Sequence, residues 1–300
     1  MKINIGHNNP PNPKKAIEKN ILRKTPILDR EPQFYKDTPL PSYIELSLID
    51  VCNRDCSFCP KSDENIAPNT YNKMEKDLID KMVIDLKKIN YKGYITMCGY
   101  GEPLLHKKIT QITKSLGEYW GIEIVTNGDP LNKKILRELF DSKVTKLVVS
   151  MYDGPEQIEK FKKMIVEAGV PEDFAVLRDR WHKGEEFSDY ITNRAGTVKS
   201  GNQIEPEKLK DKKCYYPAYH AQIDWNGDMF LCPHDWQRRN PVGNLMQKDF
   251  FDIWSGSSLT KYRKMLFEGK REKLPCASCN CNGTVHGSKH HNAWLDSWNK

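Results

Sequence analysis

The chain has no apolar run approaching the ~18 residues of a membrane-spanning helix. Its first ten residues, Met1-Lys-Ile-Asn-Ile-Gly-His-Asn-Asn-Pro10, lack the apolar stretch of a secretory signal. Neither a membrane partner nor export is expected on that basis. A dominant charge is missing too. Lys and Arg number 47 against 40 Asp and Glu, and the net +7 is spread along the chain. So dispersed an excess makes a solvated surface rather than the basic stripe of a nucleic-acid-binding protein, and no nucleic acid is expected as partner. The nine cysteines are an odd number without an export signal, which argues against a disulfide framework. Metal-bound thiolates in a reducing compartment, the cytoplasm, are the expectation. With 300 residues, 38% hydrophobic and 29% charged, there is room for one large soluble domain and a smaller appendage.

Three thiols, Cys52, Cys56 and Cys59, share the loop Cys-Asn-Arg-Asp-Cys-Ser-Phe-Cys directly after the β-like run 43–49. Three thiolates hold three corners of a 4Fe–4S cubane and leave the fourth iron open to a substrate or cofactor. Zinc is the alternative, but a structural zinc site asks for four closed ligands, and no His lies nearby in sequence to complete it. The C-x3-C-x2-C spacing, with the aromatic Phe58 before the last Cys, resembles the signature of the radical S-adenosylmethionine (SAM) enzymes. That resemblance implies a SAM-binding 4Fe–4S cluster on Cys52, Cys56 and Cys59. The stretch Cys98-Gly-Tyr-Gly-Glu-Pro-Leu-Leu105 resembles the family's Gly-Gly-Glu-Pro loop, with Tyr100 inserted before Gly101-Glu102-Pro103. By the same resemblance Gly99, Gly101, Glu102 and Pro103 bind the amino end of SAM. Asn127, Ser150 and Arg178 stand at predicted strand ends, where a parallel barrel gathers its active site, and the resemblance implies that such positions contact the ribose and carboxylate of SAM. Arg178 is assigned to the carboxylate of SAM or to substrate. Cys98 reads either as a small packed residue or as a hydrogen-atom donor facing the substrate radical.

Strand-like and helical runs alternate from residue 43 onward. Strands are expected at 44–49, 94–97, 122–125, 146–150 and 174–177, and helices at 74–89, 109–116, 132–140 and 155–168. This order predicts an α/β fold with a parallel sheet, because parallel strands need crossover connections. The family implies a partial (β/α)6 barrel, whose sixth strand is placed at 190–193. Residues 1–42, rich in proline, read as an irregular lead-in with one short helix near 14–22. Residues 43–204 make the barrel, and 205–300 a small α+β domain with its tail.

In that last part, strands at 219–225 and 229–232 flank Asn226-Gly227, a strong hairpin signal, and short helices follow at 249–254 and 259–267. Cys214, Cys232, Cys276 and Cys279 supply four thiolates, enough to close a site, and the spacing alone suits zinc and iron–sulfur equally. Beside the motifs above, they resemble the SPASM/twitch extensions of radical SAM enzymes, in the shorter form with one cluster. The resemblance implies an auxiliary 4Fe–4S cluster for electron transfer, with Cys281 left over and able to replace Cys279. His286, Lys289, His290 and His291 read as an exposed basic tail, or alternatively as a lid over a phosphate-bearing substrate.

The resemblance spans residues 43 to about 285. It implies reductive cleavage of SAM to a 5′-deoxyadenosyl radical that takes hydrogen from an unactivated C–H bond, the protein supplying orientation and shelter. A closed cluster nearby accepts the second electron of an oxidation. The pattern resembles the radical SAM dehydrogenases of aminocyclitol antibiotic synthesis, so an oxidoreductase acting on a sugar or cyclitol alcohol is expected. Its partners would be a small-molecule substrate and an electron donor such as flavodoxin or ferredoxin. A peptide-modifying enzyme, epimerase or thioether-forming maturase, is the alternative, although 42 residues before the barrel are too few for a leader-binding domain. A zinc-stabilised binding protein is the non-enzymatic alternative.

Overall fold

Residues 13–180, 192–198 and 205–300 are described by a computed structural model. The chain enters through helix α1 (Pro13–Leu28) and a small hairpin, β1 (Phe34–Tyr35) with β2 (Thr38–Pro39). The helix is longer than the short one expected near 14–22. It carries Pro26 in its last turn, where one backbone N–H is missing, and there the Thr25 hydroxyl donates to the Ile21 carbonyl.

The alternation then unfolds as expected: β3 (Tyr43–Leu46), α2 (Lys76–Lys88), β4 (Tyr94–Met97), α3 (Ile109–Gly117), β5 (Gly121–Thr126), α4 (Lys133–Asp141), β6 (Lys146–Met151), α5 (Glu156–Glu167) and β7 (Ala175–Asp179). These five strands pair in parallel in chain order. Of the sixth strand expected at 190–193, Tyr190 and Ile191 lie outside the described residues, and Thr192 and Asn193 are irregular. Among the described residues the sixth parallel strand is β8 (His220–Ile223), which pairs with β3 from Tyr43↔His220 to Leu46↔Ile223. Antiparallel β9 (Asp228–Phe230) and β10 (Pro241–Asn244) continue the sheet, so its order is β10-β9-β8-β3-β4-β5-β6-β7. The Asn226-Gly227 turn does join β8 to β9, with Gly227 at φ +88°. That local hairpin concealed the second edge of β8, whose partner is distant in sequence.

Helices α6 (Tyr216–Tyr219), α7 (Phe250–Trp254), α8 (Ser257–Phe267) and α9 (Ser288–Trp298) complete the C-terminal part. The exposed tail expected at 286–291 is instead the start of α9, and His290 and His291 are buried. His286 Nδ1 and the Gly287 N–H meet the Asp29 carboxylate at 2.7 and 2.6 Å, pinning α9 to the end of α1. Behind it, buried Arg263 lies between the rings of Trp254 and Trp294, 4.2 and 3.8 Å from their centroids. Its Nε and Nη1 donate to the Pro217 and Trp254 carbonyls. The aromatic faces solvate a cation that burial would otherwise destabilise.

The two faces of the barrel sheet differ. Ile44, Leu46, Ile95, Ile122, Ile124 and Leu147 point outward into the apolar core shared with the helices. Alternate positions turn inward, and there stand Glu45, Thr96, Glu123, Ser150, His220 and Gln222, all buried. A parallel sheet covered on both faces normally reads as continuous apolar strands. This one encloses a polar interior.

Candidate active site

Cys52, Cys56 and Cys59 lie together in the loop between β3 and α2, each partly exposed. The Cys59 N–H donates to the Cys56 carbonyl at 2.8 Å, coiling the loop between the last two thiols. Arg54, inside the motif, clamps the loop across the barrel mouth. Its Nε and Nη2 reach Asp129 at 2.6 Å each, and Nη1 and Nη2 reach Asp153 at 2.6 and 2.8 Å. Asn127 joins the same side, donating to Asn53 Oδ1 at 2.9 Å and standing 3.9 Å from the Cys52 sulfur. The ring of Phe58 rests 5.5 Å from that of Tyr152, past the end of β6.

Burial pushes the Cys56 thiol up to about 12, and the neighbouring Cys59 and Cys52 charges add to it. Three thiols that oppose one another's ionisation suit a cationic iron core, which binds them deprotonated. Among the described residues no three His, Cys, Asp or Glu side chains converge as one metal ion requires. A cubane, which offers a separate iron to each sulfur, fits the looser arrangement.

The loop after β4 packs backbone to backbone against the strand that leads into the thiol loop. A Cβ on Gly99, at φ +85°, would collide with the Ser47 side chain, and one on Gly101 with the Ile49 carbonyl. The Glu102 N–H donates to the Val51 carbonyl at 2.9 Å, just before Cys52. The Glu102 carboxylate is buried and fully engaged, accepting from the Thr126 hydroxyl (2.6 Å), the Leu104 N–H (3.0 Å) and the Asn127 N–H (2.8 Å). Burial raises it to about 7 against those three donors. It therefore ties the β4 loop to the β5 loop and sets Asn127 beside Cys52. Pro103 opens a short 3-10 turn behind it. The inserted Tyr100 is turned away into the C-terminal part, edge-on to Trp236 at 4.9 Å, so Gly101-Glu102-Pro103 keeps its place.

Inside the barrel, Arg178 and Ser150 are register neighbours on β7 and β6, and Arg178 Nη2 donates to Ser150 Oγ at 2.6 Å. Arg178 Nη1 lies 3.4 Å from Asn20 of α1, and its Nε is buried without a partner. Glu123 is paired by Arg23 and Lys24 from α1. Burial works to raise its carboxyl, but those cations hold it below the ordinary range. Glu45 has no such pairing, and burial lifts its carboxyl above that range. The Nε2 atom of His220 stands 3.5 Å from Glu45 Oε2 without hydrogen-bond alignment, and burial keeps the imidazole neutral far below its usual pKa. Gln222 Nε2 donates to Ser47 Oγ at 3.0 Å, while its Oε1 is buried with no partner among the described residues. Cys98 follows on the inward side of β4, its thiol pushed up to about 12 by burial and by the nearby Glu45 charge.

A second thiol group lies in the C-terminal part. Cys214, Cys232, Cys276, Cys279 and Cys281 all line one pocket of about 390 Å³, with Tyr216, His234 and Arg271. Burial drives the Cys232 thiol well above its usual range, and the charges of Cys276, Cys279 and Cys214 follow in that order, so these four form one mutually repelling set. Cys281 lines the same pocket; burial pushes its thiol up, the Cys279 and Cys214 charges add to it, and its thiol is hydrogen-bonded to Tyr216. The backbone of Gly283 passes so close to Cys214 that a Cβ there would strike the sulfur.

Residues 46–175 match the family model of the radical SAM superfamily, and 214–282 match SPASM, an iron–sulfur cluster-binding domain. The chain belongs to the radical SAM superfamily. Its similarity extends over 245 residues to an S-adenosyl-L-methionine-dependent 2-deoxy-scyllo-inosamine dehydrogenase of Niallia circulans, at 29% identity, covering 80% of this chain and 92% of that one. A GTP 3′,8-cyclase of Clostridium perfringens is 30% identical over 125 residues, 41% of this chain and 37% of that one. Among solved structures, BtrN in complex with AdoMet and 2-DOIA superposes with a TM-score of 0.69 at 27% identity, over 84% of this chain and 98% of BtrN. The structure of anSMEcpe with bound AdoMet, at 13% identity and a TM-score of 0.53, covers 86% of this chain and 91% of its own, and shares the fold. This radical SAM enzyme thus has SAM and 4Fe–4S clusters as its cofactors, with the SPASM domain in the C-terminal part.

Sequence reasoning singled out the thiols and the Gly99–Pro103 loop of this radical SAM enzyme, and they converge on one mouth. It passed over Arg54, Glu45, Glu123, His220 and Gln222. Glu45 carried a usable signal: a carboxylate between Ile44 and Leu46, in a strand otherwise read as apolar, marks a wet inner face.

Proposed function

We propose that this enzyme is a dehydrogenase that oxidises a ring-carbon alcohol of a small sugar or cyclitol to the ketone. The observation that carries the reading is the pocket lined by Cys214, Cys232, Cys276, Cys279 and Cys281, four of which would close a cluster without an open iron, beside a polar barrel interior. The likeness to the 2-deoxy-scyllo-inosamine dehydrogenase over 92% of its length supports the same class of substrate. When bound, SAM and the two clusters supply hydrogen-atom abstraction and the removal of one further electron.

The chain's own residues do the rest. Cys52, Cys56 and Cys59 would hold the SAM-binding cluster, with Arg54 and Asn127 fixing their loop. Gly99, Gly101 and Pro103 shape the backbone that receives the amino end of SAM, and Glu102 holds that backbone in place. Phe58 walls the mouth, while Ser150 and Arg178 present a guanidinium to a carboxylate or hydroxyl. Gln222 Oε1 and Arg178 Nε, without partners among the described residues, match a ligand with hydroxyl or amino groups round its ring. Oxidation removes a hydrogen atom from carbon, a proton from its hydroxyl and one electron. Glu45 Oε2 is the inward-facing base for that proton, neutral His220 beside it leaving the carboxylate unpaired. The electron donor is of the flavodoxin or ferredoxin class and the setting is the reduced cytoplasm; no helix among the described residues is long and apolar enough to cross a membrane.

The test is product analysis in D2O with an aminocyclitol such as 2-deoxy-scyllo-inosamine. The expected product is two mass units lighter than substrate, ~2 Da for one hydrogen atom and one proton lost, with no deuterium incorporated and with Cys98→Ala still turning over. A product about one mass unit heavier than substrate, carrying one solvent deuterium on carbon and made by wild type but not by Cys98→Ala, makes the chain an epimerase instead.

A further inference from the structure

Arg271 stands in the charged run Lys270-Arg271-Glu272-Lys273, which reads as a solvated turn. Lys270, Glu272 and Lys273 are indeed exposed, but Arg271 turns inward to 4% exposure and reaches the wall of the auxiliary thiol pocket. Its fork donates three hydrogen bonds, all to backbone carbonyls. Nε goes to Lys212 (2.8 Å), Nη2 to Lys213 (2.9 Å) and Nη1 to Cys281 (3.0 Å). The first two carbonyls lead directly into Cys214, and the third lies just past Cys279. One side chain thereby joins the two loops that carry Cys214, Cys276 and Cys279.

Carbonyls satisfy the hydrogens of a guanidinium but do not neutralise its charge. Other inward-turned arginines have their charge met: Arg23 by Glu123, Arg238 by Asp224 at 2.5 Å, and Arg263 by the faces of Trp254 and Trp294. Among the described residues no Asp or Glu lines the Arg271 pocket and none pairs with Arg271. A buried cation without compensation is strongly disfavoured. The groups that do face it are thiols. Cys214, Cys232, Cys276, Cys279 and Cys281 line the same pocket wall as the guanidinium.

We propose that Arg271 is the counter-ion of the auxiliary iron–sulfur cluster, offsetting the negative charge of its thiolate-ligated core and raising the potential at which that core accepts an electron. The inference rests on the cluster reading of the pocket. Reduction makes a thiolate-ligated core more negative, so a fixed cation at its edge stabilises the reduced form more than the oxidised one. An electron acceptor in an oxidation gains from that bias.

The test isolates the auxiliary cluster by replacing Cys52, Cys56 and Cys59 with alanine in the full chain, and compares Arg271→Gln with Arg271→Lys in that background. Iron and sulfide content, the EPR signal after dithionite reduction and a mediated redox titration are the readouts. Arg271→Lys is expected to keep the cluster near its parental potential. Arg271→Gln is expected to shift that potential downward, or to lose a cluster that Arg271→Lys retains. Equal potentials in the Arg271→Gln and parental chains overturn the inference, as does equal loss of the cluster from both variants, which would assign Arg271 a purely geometric role. If the triple-alanine parent shows no iron–sulfur signal, the cluster reading fails, and the inference with it.

Discussion

Arg54 and Asp153 meet fork to fork, Nη1 to Oδ1 at 2.6 Å and Nη2 to Oδ2 at 2.8 Å, and the same guanidinium holds Asp129. The thiol loop is thereby fastened to the ends of two strands that follow it in the chain. Lysine keeps the charge but cannot span two carboxylates in one plane. Arg54→Lys is therefore expected to lower SAM-dependent turnover on the order of tenfold, matching about 1.4 kcal/mol of lost positioning. Iron analysis should show the auxiliary cluster intact. Full activity in Arg54→Lys would mean that the loop holds itself.

Three plus four ligand thiols predict about eight irons per chain after anaerobic reconstitution. Replacing Cys52, Cys56 and Cys59 with alanine should leave about four and abolish SAM cleavage, whereas Cys214→Ala or Cys276→Ala should remove the other four. Stoichiometric zinc with only four irons would contradict the auxiliary assignment.

What was legible in the chain beforehand follows from the range of each signal. Cys52, Cys56, Cys59 and Gly99–Pro103 are local patterns, and the five barrel strands announce themselves by β-like runs between helical periods. Arg54 was visible inside the motif, but Asp129 and Asp153 lie 75 and 99 residues away, and no local pattern joins them. β8 was legible as a hairpin arm and illegible as a barrel strand for the same reason. The start of α9 was misread because its histidines suggested solvent, although Ala293, Trp294 and Trp298 repeat at helical spacing and the Trp294 and Trp298 rings lie 5.7 Å apart.

Glu102 gives a prediction with a defined sign. Its carboxyl titrates near ~4.3 in an unfolded chain and about 7 when folded, so the folded state holds a proton that the unfolded state releases between those values. The stability of the cluster-free protein should therefore fall as pH rises from about 4.3 toward 7, followed by denaturant unfolding across that range. In Glu102→Gln this slope should disappear. The amide also faces the Asn127 N–H with a donor, so that variant should lose ~1–3 kcal/mol and bind less iron at the first site.

The barrel interior makes the last prediction. Glu45 acts as a base only when ionised, and burial lifts its pKa above the ordinary carboxylate value. Turnover should rise with pH through that raised value. Glu45→Gln should lose about 100-fold in turnover while still cleaving SAM in the absence of substrate oxidation. Unchanged turnover and pH profile in Glu45→Gln would remove Glu45 from the chemistry.

The pairing of β3 with β8 bears on how the protein is made. Ser42, at the head of β3, reaches the carbonyl of Tyr219, 177 residues further along the chain. While the chain is being synthesised, β3 presents one bare backbone edge until residue 220 and its neighbours have left the ribosome, long after β4 to β7 are available to pair. A chain stopped before that point keeps a permanently open edge flanked by apolar side chains, the usual template for strand-to-strand aggregation. Barrel and auxiliary domain are thus one folding unit, and neither should be obtainable as a stable fragment by cutting between them.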